Sequence, residues 1–124
     1  MKIIEAINKI DALKPNNYTQ EDKIGWLSTL DGLIKNEIID THENKDNITF
    51  AGYTAETSTD TELLVPAPYE DVYIKWLEAQ IDYANGEIGK YNNGMTMFNS
   101  AYSAFERYYN RNNMPLAKGF RYFG

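Results

Sequence analysis

Tyr69-Glu-Asp-Val-Tyr-Ile-Lys-Trp76-Leu-Glu-Ala-Gln-Ile-Asp-Tyr-Ala84 and, further on, Phe98-Asn-Ser-Ala-Tyr-Ser-Ala-Phe105-Glu-Arg-Tyr-Tyr109 decide how this chain folds. In the first stretch Tyr69, Val72, Tyr73, Trp76, Leu77, Ile81, Ala84 and Ile88 recur at steps of three and four. That spacing puts them on one stripe of a 3.6-residue helix. Glu70, Asp71, Lys75, Glu78 and Asp82 fall on the opposite face, which is predicted to be solvated. Asn92-Asn93-Gly94 reads as a break, after which Phe98, Ala101, Tyr102, Phe105, Tyr108 and Tyr109 start a second stripe. Two helices with so short a connection fold back as an antiparallel pair.

Upstream, Ile3, Ile7 and Ile10 mark a first helix that Lys14-Pro15 ends, because a residue before proline avoids the helical region. Thr19 is a good N-cap, with Glu21 and Asp22 in the first turn and Asp22 completing a short capping box. Ile24, Leu27, Leu30, Leu33, Ile34 and Ile38 then carry a second helix, in which Asp31 can pair with Lys35. Gly32 reads as a close helix crossing or as a tolerated weak point, and the lone His42 reads as a solvated residue at the helix end. The prediction is an all-α, four-helix bundle-like single domain over 1–124, with helices near 2–13, 20–40, 69–90 and 95–111. Trp26, Trp76, Leu77, Ile81, Phe98 and Phe105 are its expected core. Between helices 2 and 3, residues 43–68 lose helical periodicity and read as a long projecting loop or short β-hairpin. Residues 113–124 read as a C-terminal arm.

The net charge of −6 is unevenly spread. Nine acids and one base, Lys45, lie between Asn36 and Asp71, whereas no acid follows Glu106. The tail holds Phe120, Tyr122 and Phe123 among Lys118 and Arg121, and reads first as a partner arm, then as core cover, and last as a nucleic-acid binder. A chain with acidic and basic regions can join copies head to tail. The candidate interface is therefore Arg107, Arg111, Lys118, Phe120, Arg121, Tyr122 and Phe123 against Glu43, Asp46, Glu56, Asp60 and Glu62.

No catalytic, cofactor or metal site is predicted. There is no cysteine and one histidine, so thiolate chemistry is excluded and a histidine-paired metal motif is not available. Asp40, His42, Asn44 and Asp46 fail as a calcium loop, since Lys45 and Ala51 stand where glycine and glutamate are required. Gly86-Glu-Ile-Gly89 is a poor phosphate clamp because an acid sits inside it. Met1-Lys2 precedes an amphipathic segment, so neither a secretion signal nor a membrane span is expected.

The segments Leu64-Val-Pro-Ala-Pro-Tyr-Glu-Asp-Val-Tyr, Trp76-Leu-Glu-Ala-Gln-Ile-Asp-Tyr, Tyr91-Asn-Asn, Phe98-Asn-Ser-Ala-Tyr and Phe105-Glu-Arg-Tyr-Tyr together resemble the small head–tail connector (adaptor) proteins of tailed phages and prophages. The likeness is best over Leu63 to Arg111. It implies a helical structural subunit, not an enzyme, that forms a ring of about twelve copies beneath the portal. It also implies portal and tail-completion proteins as partners, DNA only as cargo, and residence in the host cytoplasm and then in the virion. The alternative is a small helical regulatory protein-binding module of a mobile element, which would remain a monomer or dimer.

Overall fold

A computed structural model describes residues 1–116. It is all-α, with α1 (Ile3–Leu13), α2 (Gln20–Glu37), α3 (Asp71–Ala84) and α4 (Ile88–Asn112), and two short 3-10 turns at Ile39–Thr41 and Lys45–Asn47. The sequence signals act where they stand. Lys14 is extended, which ends α1 before Pro15. Thr19 and Asp22 exchange hydrogen bonds, the Asp22 amide donating to Thr19 Oγ1 at 3.1 Å and the Thr19 amide to Asp22 Oδ2 at 3.2 Å.

Helix α3 is the centre of the molecule. It packs on α1, α2 and most extensively on α4. Val72, Tyr73 and Ile74 are all buried, and three consecutive helical residues cannot lie on one narrow stripe. Asp82, expected on a solvated face, is consequently buried and bonded to Lys14 Nζ at 2.6 Å. Trp76 rests on Phe98 with ring centroids 5.0 Å apart, and Tyr83 on Tyr91 at the same separation, so α3 and α4 run antiparallel. Trp76 Nε1 donates to the Trp26 carbonyl at 2.8 Å, which fixes α2 against α3. Leu77, Ile81, Phe98 and Phe105 are buried, whereas Trp26 and Trp76 are half-buried, their indoles lying over the core rather than inside it.

The α3–α4 turn is not at Asn92–Gly94 but at Asn85–Glu87. Gly86 takes φ +76°, a conformation open to glycine, and the Glu87 amide bonds back to the Asp82 carbonyl at 2.9 Å. Asn92, Asn93 and Gly94 lie inside α4. There the glycine serves contact: a Cβ on Gly94 would sit 3.5 Å from Ala79 Cβ, so α3 and α4 approach closely at this point. Gly32 faces no helix; its nearest neighbour is the Phe50 ring.

Residues 43–68 neither project nor form a hairpin among the described residues. They lie along α2 and α1. Tyr53 bonds through its amide to Ser28 Oγ at 2.9 Å. The carbonyls of Thr61 and Thr59 accept from the Ile3 and Ile4 amides at 3.0 Å each, so the loop satisfies the first donors of α1. Leu63 and Val65 are buried. Of the predicted arm, Leu116 donates to the Thr41 carbonyl at 3.0 Å, and residues beyond it lie outside the described set.

Gly94 supplies the test of this packing. Gly94→Ala gains helix propensity of roughly 1 kcal/mol and makes only ordinary contact with Ala79, so its thermal midpoint should equal or exceed that of the parent. Gly94→Leu should cost about 1–3 kcal/mol by forcing α4 off α3. Equal stability of the leucine variant in chemical denaturation would show that the helices do not approach here.

Candidate functional site

The sequence-derived candidates are charges, and the fold gathers most of the described ones at one end. Helix α1 runs parallel to α3, and α2 and α4 run opposite. The N-terminus, the end of α2, the loop and the end of α4 therefore meet. The Glu43 amide donates to the Met114 carbonyl at 2.8 Å, which sets Glu43 beside the C-terminus of α4. Asp46 pairs with Lys45 at 3.2 Å, Asp60 stands 4.0 Å from Lys2 Nζ, and Glu62 accepts from the Met1 amino group at 3.1 Å. Arg107 and Arg111 are exposed on the last turns of α4. Glu56 is exposed near the tip of the loop, farther along α2. Acidic and basic stretches separated in sequence are thus neighbours in space, and Asp46, Asp60 and Glu62 already face basic partners. Lys118, Phe120, Arg121, Tyr122 and Phe123 lie outside the described residues.

His42 is not solvated. It is 1% exposed, stacked edge-on against Tyr109 with centroids 4.7 Å apart. Its Nδ1 lies 2.6 Å from the Ile38 carbonyl and its Nε2 2.8 Å from Asn110 Oδ1. Thr41 Oγ1 is 3.0 Å from Nδ1, so the group has the outline of a hydroxyl–imidazole–amide triad. A carbonyl can only accept, however, so Nδ1 carries its proton and cannot take one from Thr41. The group functions as a clamp joining the end of α2 to the end of α4. Its sequence signal was slight: a histidine four residues after Ile38 can reach that residue's carbonyl.

The main polar site that sequence reasoning missed is Asp31. It does not pair with Lys35, which bonds instead to Asp40 and to the Lys45 carbonyl. Asp31 is fully buried. Its carboxylate accepts from Tyr53 Oη at 2.5 Å, Tyr73 Oη at 2.6 Å and the Leu64 amide at 3.1 Å. Tyr73 Oη in turn accepts from the Val65 amide at 2.7 Å. Burial raises the Asp31 pKa above the ordinary carboxylate range, and the three donors only partly offset it. Burial and the facing carboxylate push both tyrosine hydroxyls upward, so both remain protonated donors. Every buried polar side-chain atom among the described residues has a partner.

Between α3 and α4 a groove of about 250 Å³ is lined by Lys14, Lys75, Asp82, Lys90 and Met97. Its lysines face Asp82, Glu78 and Glu87, so no unbalanced charge converges on it. Among the described residues no three His, Asp or Glu side chains are grouped to hold a metal ion, and no helix is long and apolar enough to cross a membrane. Compared with protein-family models, with curated proteins and with solved structures, the chain matches none.

The Asp31 network has a defined pH signature. A carboxyl whose folded pKa is raised favours the folded state at low pH, and that contribution is lost as pH rises through the folded value. The stability advantage of the parent over Asp31→Asn should be greatest in acid and should shrink toward neutrality. Urea midpoints across that range measure it, and an advantage that grows with pH would mean the hydroxyls hold the carboxylate ionised. Tyr73→Phe, which strands the Val65 amide, should cost about 1–3 kcal/mol.

Proposed function

We propose that this chain is a ring-forming head–tail connector subunit of a tailed phage or prophage, docking beneath the portal during virion assembly. The observation that carries the reading is the resemblance over Leu63 to Arg111, whose residues form α3, α4 and the aromatic layer between them. That layer includes the Trp76–Phe98 contact and Tyr69 against Tyr108 at 4.7 Å. A connector acts by shape and by joining copies, so it requires a stiff body and an adhesive surface rather than a reactive group. The α3-centred core supplies stiffness. The basic, aromatic residues 117–124 supply adhesion, together with Arg107 and Arg111 on the last turns of α4. A heterologous contact between copies closes into a ring when its rotation divides a circle. Exposed ion pairs contribute only about 0–1 kcal/mol each, so charge selects register and buried aromatics hold the contact. DNA passes as cargo, and portal and tail-completion proteins are the partners on either side.

Negative-stain microscopy of concentrated protein, together with incorporation into phage heads, tests the reading. Rings are expected from the full chain. Deleting residues 117–124 should abolish them while the helical circular-dichroism signal and the melting transition persist. A particle that stays monomeric or dimeric at all concentrations and is not incorporated into heads would favour the regulatory module instead.

A further inference from the structure

Leu116, the last described residue, lies at one end of the bundle, while three of the exposed apolar side chains stand at the other. Of the large hydrophobic residues exposed among the described residues, Leu13 (59%), Tyr83 (59%) and Ile88 (52%) stand at the end carrying the α3–α4 turn. Lys14 on Asp82 and Tyr18 Oη on Asn85 Oδ1 at 2.7 Å bring the end of α1 to that turn. Tyr91 stacks on Tyr83 and extends the surface, and Glu87 lies at its rim, paired with Lys90 at 3.4 Å. The opposite end, which carries Leu116, exposes two such residues on separate elements, Met114 and the less exposed Leu33 (37%).

Length decides who can cover this surface. Leu116 is fixed to Thr41, beside the His42–Asn110 contact. From Asn110 to Ile88 the helix rises about 33 Å at 1.5 Å per residue. From Leu116 to Phe123 a fully straight chain spans at most about 25 Å. The tail of a copy therefore cannot bring Phe120, Tyr122 and Phe123 to its own α3–α4 turn.

We propose that the surface formed by Tyr83, Ile88 and Tyr91, with Leu13 at the same end of the bundle, is the docking site for the Phe120-Arg121-Tyr122-Phe123 segment of a second copy. Aromatic rings of the tail meet apolar side chains and the Tyr83–Tyr91 stack, and Arg121 reaches Glu87 at the rim. The acids at the opposite end are the weaker receiver, because they come with only Leu33 and Met114, on separate elements, and with no exposed aromatic stack. Copies joined in this way lie end to end. The inference concerns self-association alone and does not depend on the connector reading.

The absence of cysteine allows a direct test by disulfide trapping in the full chain. Gly89 is exposed beside Ile88 and has open space where a side chain would point, as does Gly25 on α2. Gly89→Cys and Gly124→Cys keep every proposed contact. Mixed under mild oxidation, these two variants should form disulfide-linked dimers at both low and high salt. Gly25→Cys and Asn47→Cys, the latter beside the acidic residues, should stay at background when mixed with Gly124→Cys. Adding Tyr83→Ser and Ile88→Ser to the Gly89→Cys chain should abolish the link while the helical circular-dichroism signal and a cooperative melting transition persist. Linkage of Gly124→Cys to Asn47→Cys instead would overturn the proposal, and so would no linkage at all. Linked dimers without rings in the microscope uphold this inference and remove the connector reading; rings without the link do the reverse.

Discussion

A single buried carboxylate holds three parts of this molecule in register. Asp31 belongs to α2, Tyr73 to α3, and Tyr53 and Leu64 to the loop between them. Removing it from water is costly, and the cost is contained because each oxygen meets donors of fixed geometry. Those donors in turn have no freedom. Tyr73 must present its hydroxyl to both Asp31 and the Val65 amide, and Tyr53 must reach Asp31 with its own amide held on Ser28 Oγ. The loop is therefore as closely specified as the helices, although it has no repeating structure.

Two buried or half-buried ion pairs complete the arrangement. Lys23, itself 3% exposed, reaches Asp11 at 2.7 Å and the Tyr18 carbonyl at 2.9 Å, while Lys14 reaches Asp82. Each links α1 to a different helix, one to α2 and the other to α3. A marginal three-turn helix is thereby fixed at its C-terminal half by charge and at its first turn by the carbonyls of Thr59 and Thr61. Truncating one partner of such a pair harms the fold more than the pair itself contributes, since a charge is left without its counterpart.

The helices were legible because their information is local. Thr19 with Asp22, Lys14 before Pro15, and apolar steps of three and four act within a turn or two. The turn between α3 and α4 was not, because the chain carries two asparagine–glycine pairs there and composition alone does not say which glycine turns left-handed. The fold decides: Gly86 takes the positive φ and makes the turn, whereas Gly94 continues the helix where α4 passes Ala79. The loop was illegible for a different reason. Its order comes from Tyr53 meeting a residue 22 positions away, and local polarity says nothing of that. His42 and Asp31 looked like surface residues for the same cause. As for the candidate interface, the sequence displays its charges but not their distances, and the fold places most of the described acids and arginines at one end.

The differing reach of these contacts has a kinetic side. The α3–α4 hairpin needs only the closure at Asn85–Glu87, and its aromatic pairs then form in sequence from Tyr83–Tyr91 toward Tyr69–Tyr108. The Asp31–Tyr73 bond spans 42 positions, and the Met1 contacts with Glu62 and Glu70 span 61 and 69. Loop-closure entropy delays contacts of long span until something local already stands to receive them. On that basis the hairpin is expected to form first and α2 to condense onto it, with the loop and the start of α1, which supply each other's hydrogen bonds, joining last.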